Sequence, residues 1–305
     1  MTKNVIAVKD IISFFINEIL EVHGIIENLI VDNVADPQHT THTTLDWVNS
    51  RHPNKQEIAE NSIAQVIIVD KDVRYSDTIR KQNKVLIVVK NPRLMMAKIM
   101  QEFFLPKIVG GVHPSAIIDD NAIIDPTANI GAGCVVGRAI IGASTIIKPN
   151  VVIYDDVTIG SNCLIQAGAV IGTDGLGCMR EEDGTLVKFP HLGGVVIGDN
   201  VEIGANCQIA KGVLSDTIVG NGCKMNGLCF IAHNCMLEDN VWITGDTMLC
   251  GTTHVGKNTT IFSNVIIRDQ AHIGQNCTIG MGSVITKDIP EGETWFGSPA
   301  HKKDK

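Results

Sequence analysis

Aromatic side chains are scarce in this 305-residue chain: they make up 4% of it, with two Tyr and three Trp. A core with so few large rings must be thin and filled by branched aliphatics. No apolar run is long enough to span a bilayer. The apolar stretch near the N-terminus carries Asp10 and Glu18, which speaks against both a membrane span and a signal peptide. The formal charge is −8 and no basic block precedes the last residues, so nucleic acid is not an expected partner. The nine cysteines form no CxxC pair. Their odd number and the lack of a leader fit free thiols in a reducing compartment, and the expected location is cytoplasmic. Phosphate loops, nucleophile elbows and zincin motifs are also missing, which removes the commonest routes to phosphoryl transfer, serine hydrolysis and zinc catalysis.

What the chain does have is a period of six. Aliphatic residues or Met occupy every sixth position from Val213 to Ile285, through Val219, Met225, Ile231, Leu237, Ile243, Leu249, Val255, Ile261, Ile267, Ile273 and Ile279. An earlier run holds Ile141, Ile147, Ile153, Ile159, Ile165 and Ile171, and Ile118, Ile124, Ile130 and Val136 precede it one residue out of phase. Helices repeat every 3.6 residues and strands every two, so neither produces a six. A parallel β-helix does, with one short strand and one turn per hexad, an inward aliphatic at each sixth place, and three hexads per triangular coil. Gly follows many of these residues, as at Ile130-Gly131 and Val255-Gly256, where a side chain would crowd the corner.

The pattern starts near Val112 and stops at Pro290, so the β-helix is expected over 112–290. Residues 1–107 read as a small α/β domain. Helical spacing covers 10–19, strand-length apolar runs cover 64–73 and 84–90, and Asn91-Pro92 opens a helix over about 93–104. Residues 106–114 look like a linker. Residues 291–305 read as a short tail, part cap and part frayed end, with Lys302, Lys303 and Lys305. The period lapses between Gly172 and Val195, which reads as a loop thrown out from the prism, a common place for a site.

His233 lies two residues past the inward Ile231 and should project outward at a corner. Gly251 is eighteen residues on, one coil above, and leaves a slot beside the imidazole with a reachable backbone N–H. A base next to such a donor has the parts for acyl transfer: one takes a proton from an attacking amine, the other supports the oxyanion. His254 and His272, also eighteen apart, should stack, either along a groove or at an interface between subunits. Cys223, Cys229 and Cys235 recur at the hexad spacing, which puts them on successive faces rather than around one metal.

Several segments together resemble the UDP-3-O-acylglucosamine N-acyltransferase family of the lipid A pathway. Residues 88–92 (VVKNP) resemble the end of its uridine-binding domain. IGTDGLG at 171–177 is similar to the family's IGxDGFG, and VKFPHLG at 187–193 to its VKIPQxG. GVLSDT at 212–217 resembles its GALDDT, and IAHN at 231–234 its catalytic segment. The resemblance implies a left-handed parallel β-helix of hexapeptide repeats that assembles as a homotrimer, with ligands in grooves between prisms. It implies His233 as general base, Gly251 as the oxyanion N–H, and Trp47 and Asn49 as the grip on uracil. Asp174, His191, Asn234, Gln270 and His272 would contact substrate. No bound cofactor is implied. The co-substrate would be a thioester on the phosphopantetheine of an acyl carrier protein, and the acceptor the amine of a UDP-linked amino sugar. The chain departs from the family at Ala210-Lys211, at Asn226-Gly227, at Gln270 where a second histidine is expected, and in lacking the C-terminal helices. Its end instead resembles short-chain sugar N-acetyltransferases that use acyl-CoA such as acetyl-CoA, for O-antigen or capsule sugars. A non-catalytic nucleotide-sugar-binding β-helix is the reading from another class.

Overall fold

Two-residue strands separated by corners make up most of residues 111–285 in the computed structural model, which describes residues 5–303. Lys305 lies outside the described residues. The chain divides into two compact units between Lys107 and Ile108.

In the second unit the strands fall into three parallel sheets of eleven, nine and eight strands, the faces of a triangular prism. Residues eighteen apart pair in register, as in Met225↔Ile243, Ile231↔Leu249 and Leu237↔Val255. The second residue of each pair points inward, and Ile147, Ile165, Ile231, Leu249, Ile267 and Ile279 are among those with no measurable exposure. Six residues per side is what lets identical inward positions stack from coil to coil, so one aliphatic column forms behind each face. Glycines after the inward residue are required by close approach between coils. A Cβ on Gly256 would come within 2.5 Å of the Gln275 backbone nitrogen, and one on Gly131 within 2.7 Å of that of Pro149. The left-handed backbone positions at the corners are filled mainly by Asn, including Asn150, Asn200, Asn240 and Asn258. Asn tolerates positive φ better than other side chains. This second marker of each corner escaped the sequence reading.

Two excursions leave the prism. Residues 174–194 form an antiparallel hairpin, Gly177–Arg180 against Leu186–Phe189. The second, at 211–216, corrects the hexad count: inward residues run Ile197, Ile203, Ile209 and then Val219, ten places on. Val213 lies in this excursion, half-buried and outside any strand, although it falls on the period. Both excursions join the nine-stranded face to the eight-stranded face, on successive coils. His233 and Gly251 occupy the same edge on the next two.

Seven of the nine free cysteines are buried. Burial pushes the Cys223 thiol up to about 11 and that of Cys235 up to about 12, so both stay protonated packing groups. At the C-terminal end, Thr294–Gly297 stacks on Thr278–Ile279 and pairs back with Ala300–Lys302. Trp295 is buried against the open end of the aliphatic columns. The region expected to be partly frayed is therefore a capping hairpin, because the last coil needs its apolar end covered.

The first unit has a four-stranded sheet in which Leu45–Trp47, Val66–Val69 and Val85–Val89 run parallel and Ile19–His23 is antiparallel at the edge. Alternate residues serve two cores: Val66, Ile68, Val85 and Ile87 on one side, Ile67, Val69, Leu86 and Val88 on the other. The first helix spans Val8–Phe14 and stops short of Ile19, which begins the edge strand. Asn91 caps the last helix, Pro92–Ile99, by accepting from the Leu94 N–H at 3.1 Å. Beyond it Met100–Phe104 continues as one wider π turn.

Candidate active site

The strand Phe230–Ile231 ends the nine-stranded face, and the chain turns through His233 before Met236–Leu237. Ile231 faces the core, so the half-buried His233 ring, two residues on, lies on the outer edge. The Thr252 N–H donates to the His233 carbonyl at 2.8 Å, which seats the next corner on it. A Cβ on Gly251 would stand 2.6 Å from both Nε2 and Cε1 of His233, so only a residue without a side chain leaves the ring its place. The Gly251 N–H has no hydrogen-bond acceptor among the described residues.

Asn234 orients the ring. Its Oδ1 accepts from the Val213 N–H at 3.0 Å, and its Nδ2 donates to the Ser215 carbonyl and hydroxyl oxygens, each at 3.0 Å. The amide cannot be reversed without losing the bonds to the Val213 N–H and the Ser215 carbonyl. Its backbone N–H is tied to Thr217 Oγ1 at 2.8 Å. Oδ1 also lies 3.2 Å from His233 Nδ1, so Nδ1 is the donor of that contact, and in the neutral ring the lone pair falls on Nε2, on the side of Gly251. Asn234, which the resemblance places at the substrate, also holds the imidazole.

The hairpin excursion closes on the same ring. His191, only 3% exposed, meets His233 edge-on, with ring centres 5.2 Å apart. Its Nδ1 donates to the Phe189 carbonyl at 3.1 Å, and its Nε2 is buried with no partner among the described residues. Gly175 sits against both rings: a Cβ there would be 2.6 Å from His191 Nε2 and 3.0 Å from His233 Cδ2. Gly175 was not singled out from the sequence, although the Asp-Gly-Leu-Gly segment contains it. Asp174 pairs with Lys188 and, at 3.1 Å, with Lys211. The Lys188 ammonium, then that of Lys211, holds its carboxyl below the usual carboxylate range. Asp174 thus ties the hairpin excursion to the start of the second one, where Lys211 is its partner.

Beside the His191 end, Leu192 and Leu214 project from the two excursions, 75% and 76% exposed. With Ile123, Ile140 and Val196 of the eight-stranded face, and with Arg138, Asp156 and Asp216 along its rim, they line a cleft of about 590 Å³. Gln270 and His272 are not brought to His233. The Gln270 N–H bonds the Gly251 carbonyl, which puts Gln270 two coils above Asn234, about 10 Å away. His272 faces His254, Nδ1 to Nδ1 at 2.9 Å, and His254 Nε2 meets Glu238 at 2.9 Å. In the first unit, Trp47 lines a cavity of about 460 Å³ with Thr40, Asp46, His52 and Asn54. Asn49 is outside that lining and accepts from the Arg51 N–H.

This edge belongs to a hexapeptide-repeat transferase. The family model described as bacterial transferase hexapeptide (six repeats) matches residues 138–173 and 252–287, and that of the hexapeptide repeat of succinyl-transferase matches 194–226. The coil is a left-handed β-helix like that of UDP-N-acetylglucosamine O-acyltransferase from Moraxella catarrhalis, 28% identical with a TM-score of 0.58 over 63% of this chain and 73% of that one. The UDP-3-O-acylglucosamine N-acyltransferase of Bordetella pertussis is 31% identical over 274 residues, 82% of this chain and 75% of that protein. That of Coxiella burnetii is 39% identical over 188 residues, 55% of each, so this chain spans only about half of that relative's length. The chain belongs to the UDP-3-O-acylglucosamine N-acyltransferase family.

Proposed function

We propose that this protein transfers a 3-hydroxyacyl group from the phosphopantetheine thioester of an acyl carrier protein to the amine of a UDP-linked amino sugar. The observation that carries the proposal is Nε2 of His233, the nitrogen left as acceptor in a neutral ring whose Nδ1 donates to Asn234, beside the unpartnered N–H of Gly251. The amine attacks the thioester carbonyl while Nε2 takes its proton, and the Gly251 N–H supports the oxyanion. As the tetrahedral intermediate collapses, the C–S bond breaks and the imidazolium returns the proton to the leaving thiolate. An amide and a free thiol result, with no metal or bound organic cofactor taking part. Trp47 would stack on uracil within the first unit's cavity. The working protein is taken to be a cytoplasmic homotrimer; no described helix is long and apolar enough to cross a membrane.

Asn234 is a positioning residue in this scheme. Asn234→Ala should lower kcat by about ten- to a hundredfold with KM little changed, since the ring loses its tautomer lock. Asn234→Asp keeps an acceptor for Nδ1–H but turns a second carboxylate oxygen toward the Ser215 carbonyl, so it should recover only part of the loss. Equal defects in the two variants would show that Asn234 acts only through the fold of the corner.

The cleft between Leu192 and Leu214 favours a long acyl chain over a short one. Its outward column from Val196 to Ile123 spans three coil steps, about 14 Å. An extended saturated chain advances about 1.3 Å per carbon, so roughly ten carbons would fit. Leu214→Asp should cut turnover with a 3-hydroxyacyl carrier protein at least about tenfold, and leave any turnover with acetyl-CoA unaffected. Assay of wild type with both donors and UDP- or dTDP-amino sugars tests the proposal. Turnover only with acetyl-CoA would replace the donor, and turnover with neither would refute the reading.

A further inference from the structure

The three faces differ in what they show to solvent. Outward residues on the eight-stranded face include Ile123, Ile140 and Met236, and those on the nine-stranded face include Val135, Met248 and Ile266, all well exposed. These two faces have the composition of surfaces that pack against protein. The eleven-stranded face is apolar at Ile146 and Leu164 and becomes mostly polar from Glu202 to Thr278. Its outward column runs Glu202, Lys224, Trp242, Thr260, Thr278, in register from coil to coil. Trp242, 52% exposed, is the one aromatic in that stretch of the column, and its indole N–H has no partner among the described residues. It opens on a cleft of about 410 Å³ shared with Gln166, Glu202, Lys224, Asn226 and Thr244. That volume lies within the range of small-molecule sites.

We infer that this face holds a pyranose ring stacked on Trp242. The proposal goes beyond the acyl-transfer reading and does not depend on it. A sugar has an apolar C–H face and a rim of hydroxyls, and the cleft offers one aromatic surface inside a ring of hydrogen-bonding groups. Much of that capacity is unspent. Lys224 Nζ donates once, to the Asn200 carbonyl at 2.7 Å, and keeps two further donors. Asn226 Oδ1 accepts from the Gly227 N–H, which leaves its NH₂ free. Glu202 has only a weak contact from Gln166 at 3.4 Å. Glu202 and Trp242 are two coils apart, about 10 Å, enough for one ring along the column with its hydrogen bonds. A second copy of the chain fits this face less well, since Glu and Lys are depleted in the centres of protein interfaces. The platform is rigid, because every residue in it is fixed by the coil ladder on both sides.

The test uses the full chain carrying His233→Ala, so that acyl transfer plays no part, and sugars without uridine, so that the Trp47 cavity is not engaged. N-acetylglucosamine and chitobiose are titrated while the nitrogen-labelled indole N–H signals are followed by NMR, Trp242 being assigned from the spectrum of Trp242→Ala. The Trp242 signal should shift saturably. Trp242→Ala should weaken binding at least about tenfold with unchanged circular dichroism, and Trp47→Ala should leave it unaltered. A Trp242 signal that ignores both sugars overturns the proposal, as does undiminished affinity in Trp242→Ala. A change in oligomer mass on Trp242→Ala, measured by light scattering, would assign the face to contacts between copies and also overturn it.

Discussion

His233→Ala should lower turnover at least about a hundredfold and leave the β-helix intact. The imidazole is on the outer edge, so its removal takes no volume from the aliphatic columns and melting should hardly change. What is lost is the acceptor for the amine proton, and general-base catalysis of this kind is worth about a hundred- to ten-thousandfold. The defect should lie in kcat, with KM for both substrates close to wild type, since the ring's contribution falls mainly in the transition state. Near-normal kcat in a correctly folded variant would remove His233 from the mechanism and leave the Gly251 N–H without a partner in it.

Gly251→Ala should cost a similar amount for a different reason. The added methyl would stand 2.6 Å from Nε2 and Cε1 of His233, closer than side-chain carbons approach other atoms. The ring is the movable party, so it must swing from its place. It then gives up the Nδ1–H bond to Asn234 and the edge contact with His191. Backbone strain does not enter, because Gly251 lies outside the left-handed region. The expected result is a kcat about a hundredfold down, the size of losing one preorganised group at the reacting centre, with thermal stability within about 1 kcal/mol of wild type. If Gly251→Ala keeps full activity, the ring does not work from the position the structure gives it. If it unfolds the protein, Gly251 serves the fold and the catalytic argument fails.

The coil could be read because its cause is local. An inward aliphatic every sixth residue forces stacking whatever else the chain does, so Ile231 beneath Leu249, and with it the aliphatic column behind each face, was legible from spacing alone. The eighteen-residue offset likewise places Gly251 directly over His233. The same rule misled at Val213, which keeps the period while standing in an excursion. Spacing cannot tell an inward residue from an outlying one once four residues have been inserted. In the first unit helical spacing ran on through Ile19, since a short amphipathic helix and an edge strand both begin with apolar residues there.

By itself, then, the order of residues determined a triangular coil with one outward imidazole below a bare glycine, because repeats eighteen apart meet without reference to any other part of the chain. Tertiary structure alone decided which nitrogen of that imidazole is free. Asn234 is held by Val213, Ser215 and Thr217, which reach it across an irregular loop 17 to 21 residues away. It also decided that His191 and Gly175 close over the ring, since a hairpin of arbitrary length has no register with the prism until it folds back.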